Sequence, residues 1–101
     1  MQVTMKDRVA VVTGGSKGIG LAVARQFAAS GAKVAILARG AADLKAARER
    51  LTKDGLEVRD YVCDVSKASD IAGAHDKVTA ELGPVDILVN NAGTARTMAF
   101  E

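Results

Sequence analysis

The 101 residues contain no tryptophan, one cysteine, one proline, one histidine, two phenylalanines and one tyrosine. A single cysteine rules out an internal disulfide and fits a reducing compartment, with Cys63 expected as a small buried hydrophobe. His75 stands alone on a helical stretch without Cys, His or carboxylate neighbours at metal-ligand spacing, so no structural or catalytic metal is expected. An excess of charge of one sign is also lacking: a formal net charge of +2 and a pI near 8.9, with no run of like charges, is too mild for a nucleic-acid surface. No stretch approaches the ~18 consecutive apolar residues of a membrane span, and Met1 to Arg8 lacks the apolar core of a secretory signal. The expectation is one cytoplasmic domain with neither a membrane nor a nucleic-acid partner.

Small aliphatic residues make up most of the apolar 49%. Such a composition suits buried parallel strands flanked by closely packed helices. Four continuous β-rich runs, Val9 to Thr13, Val34 to Leu37, Val58 to Val62 and Val85 to Val89, predict four buried strands. Between them apolar residues recur at helical spacing: Ile19, Ala22, Val23 and Phe27; then Leu44, Ala47 and Leu51; then Ile71, Ala74, Val78 and Leu82. Gly31, Gly55 and Gly83 fall where helix-ending glycines belong, and Pro84 blocks continuation of the third helix. Ser66 is placed to cap that helix, with Asp70 in its first turn. The alternation predicts an α/β fold with one parallel sheet, flanking helices, right-handed crossovers and strand order 3-2-1-4. Its ligand-binding switch point would lie between the first and fourth strands.

Thr13-Gly14-Gly15-Ser16-Lys17-Gly18-Ile19-Gly20 joins the first strand to the first helix. A buried strand feeding a helix through glycines aims backbone N–H groups and the positive helix end at one point, which favours an anion. Gly14 would allow the tight exit from the strand, Gly18 the close approach of a pyrophosphate, and Gly20 the close packing of helix on strand. The alternative is a purely structural turn. A P-loop is excluded because Lys17 is followed by Gly18 and not by Ser or Thr. A methyltransferase would want an acidic residue after the second strand, where Ala38-Arg39 stands.

Two further segments lie at predicted strand ends, Cys63-Asp64-Val65 and Asn90-Asn91-Ala92-Gly93. Together with the glycine turn they resemble, over about residues 5 to 97, the amino-terminal half of the short-chain dehydrogenase/reductase family. The feel is closest to its ketoacyl-reductase-like members. The resemblance implies an incomplete Rossmann-type sheet, with residues 1–101 as the amino-terminal part of one nicotinamide-dinucleotide domain. It further implies hydride transfer between that cofactor and a small carbonyl or alcohol substrate. Gly14, Ser16, Lys17, Gly18, Ile19 and Gly20 would serve the phosphates. Asp64 would accept from the adenine amine while Val65 packs on the ring, unless Asp64 only caps the next helix. Asn91, with Ala92 and Gly93, would lie along the ribose, and Asn90 would tie neighbouring strands together.

Arg39 carries the cofactor preference. Enzymes for the unphosphorylated dinucleotide usually place a carboxylate at the end of the second strand, which would repel a 2′-phosphate. Arg39 offers a bidentate fork instead, and Lys17 a second positive charge, so NADP(H) is expected; the alternative is two exposed charges beside a turn. Asp43 is read as surface charge.

The family's catalytic serine and Tyr-x-x-x-Lys pair follow the Asn-Asn-Ala-Gly segment and have no counterpart among these residues. Tyr61 has Val65 four places on and is read as sheet packing. No catalytic residue is therefore assigned, and the 101 residues alone are expected to be inactive. Apolar and unguarded by proline or lysine, the fourth strand should present an open edge and favour a homo-oligomer. The rival reading is a non-catalytic, self-associating half-domain.

Overall fold

In a computed structural model, which describes residues 5–91, the apolar runs become strands β1 (Val9–Thr13), β2 (Lys33–Ala38), β3 (Val58–Val62) and β4 (Ile87–Asn90). The helical repeats become α1 (Gly18–Ala29), α2 (Ala41–Lys53) and α3 (Ala68–Glu81). All strand pairs are parallel and the order is β3-β2-β1-β4. Val12 lies opposite Ile36 on one side and Val89 on the other, so β1, like β2, is an inner strand.

Side chains alternate across the sheet with the period of two that a strand imposes. Ala10, Val12, Val34 and Ile36 face α1 and α2, where they pack with Ala24, Leu44, Ala47 and Leu51. Val9, Val11, Ala35 and Leu37 face α3 and meet Cys63, Ala74, Val78 and Leu82. Ile36, Leu44, Leu51, Val12 and Val34 are almost wholly inaccessible. Each such side chain contributes about 1.5–3 kcal/mol by leaving water. The helix-ending glycines are where the sequence places them: Gly31, Gly55 and Gly83 all have positive φ.

Four expectations are corrected. The buried face of α1 is formed by Gly20 and Ala24, with Leu21, Val23, Phe27 and Ala28 against the core. Ile19 is 74% exposed and Ala22 is exposed, because the helix approaches the sheet through Gly20 and turns its first residues outward. β3 is no buried strand: Arg59 is exposed and Val62 is 61% exposed, since only β2 pairs with it. Its free edge carries charge, which discourages pairing with other chains. Asp60 Oδ1 lies 2.9 Å from Arg48 Nε, Arg59 lies 3.5 Å from Glu81, and the Tyr61 hydroxyl donates to Glu81. β4 begins at Ile87 and not Val85. Asp86 donates its N–H to the Val9 carbonyl, while the Asp86 carboxylate accepts the Val9 N–H in place of a ladder carbonyl. Finally, Ser66 does not cap α3. Lys67 occupies the cap position without a side-chain bond, and the Ser66 hydroxyl is given to Asp64.

Candidate phosphate-binding site

Parallel strands and alternating helices bring every strand's carboxyl end, and every helix's amino end, to one edge of the sheet. Thr13 closes β1 there as a buried polar residue. Its hydroxyl donates to Asn90 Oδ1 at 3.0 Å and accepts the Asn91 N–H at 2.9 Å, which ties the end of β1 to the end of β4. Thus Asn90 does join the strands, through Thr13. The Gly14 N–H continues the sheet by one more bond, to the Leu37 carbonyl at 2.7 Å.

The turn then folds back on itself. A Cβ at Gly20 would stand 2.1 Å from the Gly14 carbonyl oxygen and 2.8 Å from Asn91 Nδ2. Only glycine lets the first turn of α1 rest on the end of β1, with the Asn91 amide beside both. Gly18 has φ +55° and open space where a Cβ would point, so the backbone there is accessible to a ligand. Gly15, which sequence reasoning passed over, is buried, and a Cβ on it would meet Ile36 at 2.7 Å. Its role depends on a neighbour 21 positions away, and no local signal marks it.

The amino end of α1 has features that favour an anion. Lys17 at the cap position is extended and makes no side-chain cap bond, and the first turn holds no acidic residue. Its unused N–H groups and the helix dipole therefore face outward uncompensated. α2 and α3 each carry a carboxylate in the corresponding turn, Asp43 and Asp70. Among the described helices, α1 is thus the one whose first turn holds no acidic residue.

Around this turn stand the other sequence-predicted residues. Ser16 is half-buried and Ile19 exposed. Arg39 is exposed at the end of β2. Lys17 Nζ lies 3.1 Å from Asp43 Oδ2, so Asp43, read as simple surface charge, is the partner of a candidate ligand. At the end of β3, Asp64 Oδ1 accepts the Ser66 hydroxyl at 2.7 Å and the Ser66 N–H at 3.0 Å, and the Asp64 N–H donates to Asp70. The Ser66 bonds hold the Asp64 carboxyl below its ordinary pKa, with Arg39 and Lys67 adding to the effect. Val65 is half-buried against the α3-side core. Cys63 is buried, and its thiol pKa is raised by that burial and by Asp70 and Asp64. Ala92 and Gly93 lie outside the described residues. Among the described residues no group of three His, Cys, Asp or Glu could hold a metal, and no helix is long and apolar enough to cross a membrane.

Comparisons with known proteins agree with this geometry. D-threitol dehydrogenase of Mycolicibacterium smegmatis is 43% identical over 97 residues, covering 96% of this chain and 37% of the relative. The chain therefore spans little more than a third of that relative's length. Among solved structures, L-sorbose reductase of Gluconobacter frateurii complexed with NADPH and L-sorbose matches with a TM-score of 0.87 and 37% identity, over 98% of this chain and 38% of that one. A variant of actinorhodin polyketide ketoreductase with NADPH matches with a TM-score of 0.85 and 38% identity, over 93% of this chain and 36% of that one. A family model described as short chain dehydrogenase matches residues 8–101. With that match spanning both the glycine turn and the end of β4, the chain belongs to the short-chain dehydrogenase family.

Proposed function

We propose that this chain is the NADP(H)-binding part of an oxidoreductase that exchanges a carbonyl for an alcohol on a small molecule. The observation that carries the reading is the α1 start, free of carboxylate and folded onto Gly14, with Arg39 in place of an acid at the end of β2. Relatives whose structures contain NADPH support the choice of dinucleotide. When bound, that cofactor supplies or accepts the hydride.

The chain's own residues bind and orient. Gly14, Ser16, Lys17, Gly18, Ile19 and Gly20 form the phosphate turn, and Arg39 takes the 2′-phosphate by a charge-assisted fork. Asp64 serves adenine through Oδ2, since both Ser66 bonds fall on Oδ1. Val65 lines the ring, and Asn91 serves the ribose. Cytoplasmic location and homo-oligomeric assembly through the β4 edge belong to the same proposal; sedimentation at several concentrations, with and without Leu88→Lys, checks the latter.

Arg39→Asp should weaken NADPH binding by about 1.5–3 kcal/mol more than NADH binding. Titration calorimetry on both cofactors decides it, and an equal loss for both would refute the assignment. The 101 residues alone should reduce no carbonyl with NADPH, because the only tyrosine, Tyr61, lacks a lysine four places on and donates its hydroxyl to Glu81. Turnover that purifies with this species and vanishes with Arg39→Asp would overturn that expectation.

A further inference from the structure

Asp43 sits in the first turn of α2, four residues past Arg39, yet makes no cap bond to its own helix. Among the described residues its carboxylate has one partner, the Lys17 ammonium at 3.1 Å. It also leans back over the chain: a Cβ on Gly40 would lie 3.5 Å from Asp43 Oδ2. A negative charge therefore stands beside the residue next to Arg39 and occupies the second cation of the site. Asp70, the matching acid of α3, differs because it accepts the Asp64 N–H at 3.0 Å and so has structural work.

We propose that Asp43 is a specificity-determining residue that, by holding Lys17, reduces the site's preference for a 2′-phosphorylated dinucleotide. The inference rests on the NADP(H) reading above. A 2′-phosphate arriving at Arg39 must share Lys17 with Asp43 or take it away, and either course costs binding that the unphosphorylated dinucleotide never forfeits. Lys17 and Asp43 are 75% and 55% exposed, so the effect is that of a solvated ion pair, modest and sensitive to salt. The consequence is a graded discriminator, able to use NADPH without refusing NADH outright.

The test is calorimetric titration of the protein, as expressed, with NADPH and with NADH at low and high ionic strength. Asp43→Asn should tighten NADPH by about two- to fivefold at low salt, leave NADH unchanged, and lose the gain at high salt. Asp43→Glu should restore the original ratio. In a Lys17→Gln background, Asp43→Asn should have no effect on NADPH, because the carboxylate acts through the ammonium. The ratio of the two affinities is blind to any general loss of α2 stability, which burdens both cofactors alike. Unchanged or weaker NADPH binding, equal tightening of both cofactors, or a gain that survives Lys17→Gln would overturn the inference. Unaltered protein with no preference for NADPH would overturn the NADP(H) reading and this inference together; a preference that Asp43→Asn leaves intact would overturn this inference alone.

Discussion

Among the described residues three helices begin at one edge of the sheet, and they begin differently. α2 and α3 carry Asp43 and Asp70 in their first turns, whereas α1 carries no acid there and is entered through glycines. An aspartate in the first turn satisfies the positive end of a helix from within the chain. Where it is missing, the same electrostatics are left for a ligand, and steric clearance decides whether one can arrive. Gly18 provides that clearance, and Gly20 keeps the helix close enough to β1 for the turn to close. Residue choice at a few positions, not fold, separates a self-satisfied helix start from a candidate anion site.

Breaking the α1 side should have the largest effect. Gly20→Ala drives a methyl group to 2.1 Å from a backbone oxygen, which no side-chain rotation relieves. A loss of about 3 kcal/mol is expected, read as a fall in the denaturant midpoint at constant slope, together with loss of dinucleotide binding. Next comes the floor of the site: Thr13→Val removes the buried hydroxyl that the half-buried Asn91 N–H and the exposed Asn90 Oδ1 share. That should cost about 0.5–1.5 kcal/mol in the same denaturation assay.

Converting α1 to the pattern of its neighbours would sharpen the comparison. Ile19→Glu places a carboxylate in the bare first turn at an exposed position, and should stabilise the chain by about 0.3–1 kcal/mol while weakening the binding of either dinucleotide. Stability and affinity must move in opposite directions; a fall in both would refute the account of α1. The smallest effect concerns Asp64 at the α3 side. Its pKa is lowered by Ser66, so its contribution is present above the ordinary carboxylate pKa and is lost as pH falls through the lower, folded value. Asp64→Asn should therefore lower stability slightly at neutral pH and leave the acid end unchanged, which flattens the acid limb of a pH series of denaturation curves.

Strands and helix periods were legible because burial on both faces writes continuous apolar runs, as at Val9–Thr13, and one-sided burial writes a period near four, as at Leu44, Ala47 and Leu51. Reading failed where a neighbour decided the outcome. Val58–Val62 has a β-rich composition whether or not a second strand pairs with it, so its edge position and the exposure of Val62 were hidden. Val85 and Asp86 look like strand, yet the Asp86 side chain claims the Val9 N–H and the ladder starts later. Ser66 is a good cap by type, but Asp64 takes its hydroxyl first.

The site divides the same way. The glycine turn, its place between a strand and a helix, and the absence of an acid before Arg39 are properties of the linear chain, since backbone freedom and charge are carried by each residue wherever it goes. Contacts between distant residues are not. That Gly15 must clear Ile36, that Thr13 must bind Asn90 and Asn91, and that Lys17 must answer to Asp43 follow only once β1 lies between β2 and β4 and α2 starts beside the turn. Packing at van der Waals distance and hydrogen bonding at 3 Å depend on where the fold brings partners together, and sequence separation carries no record of it.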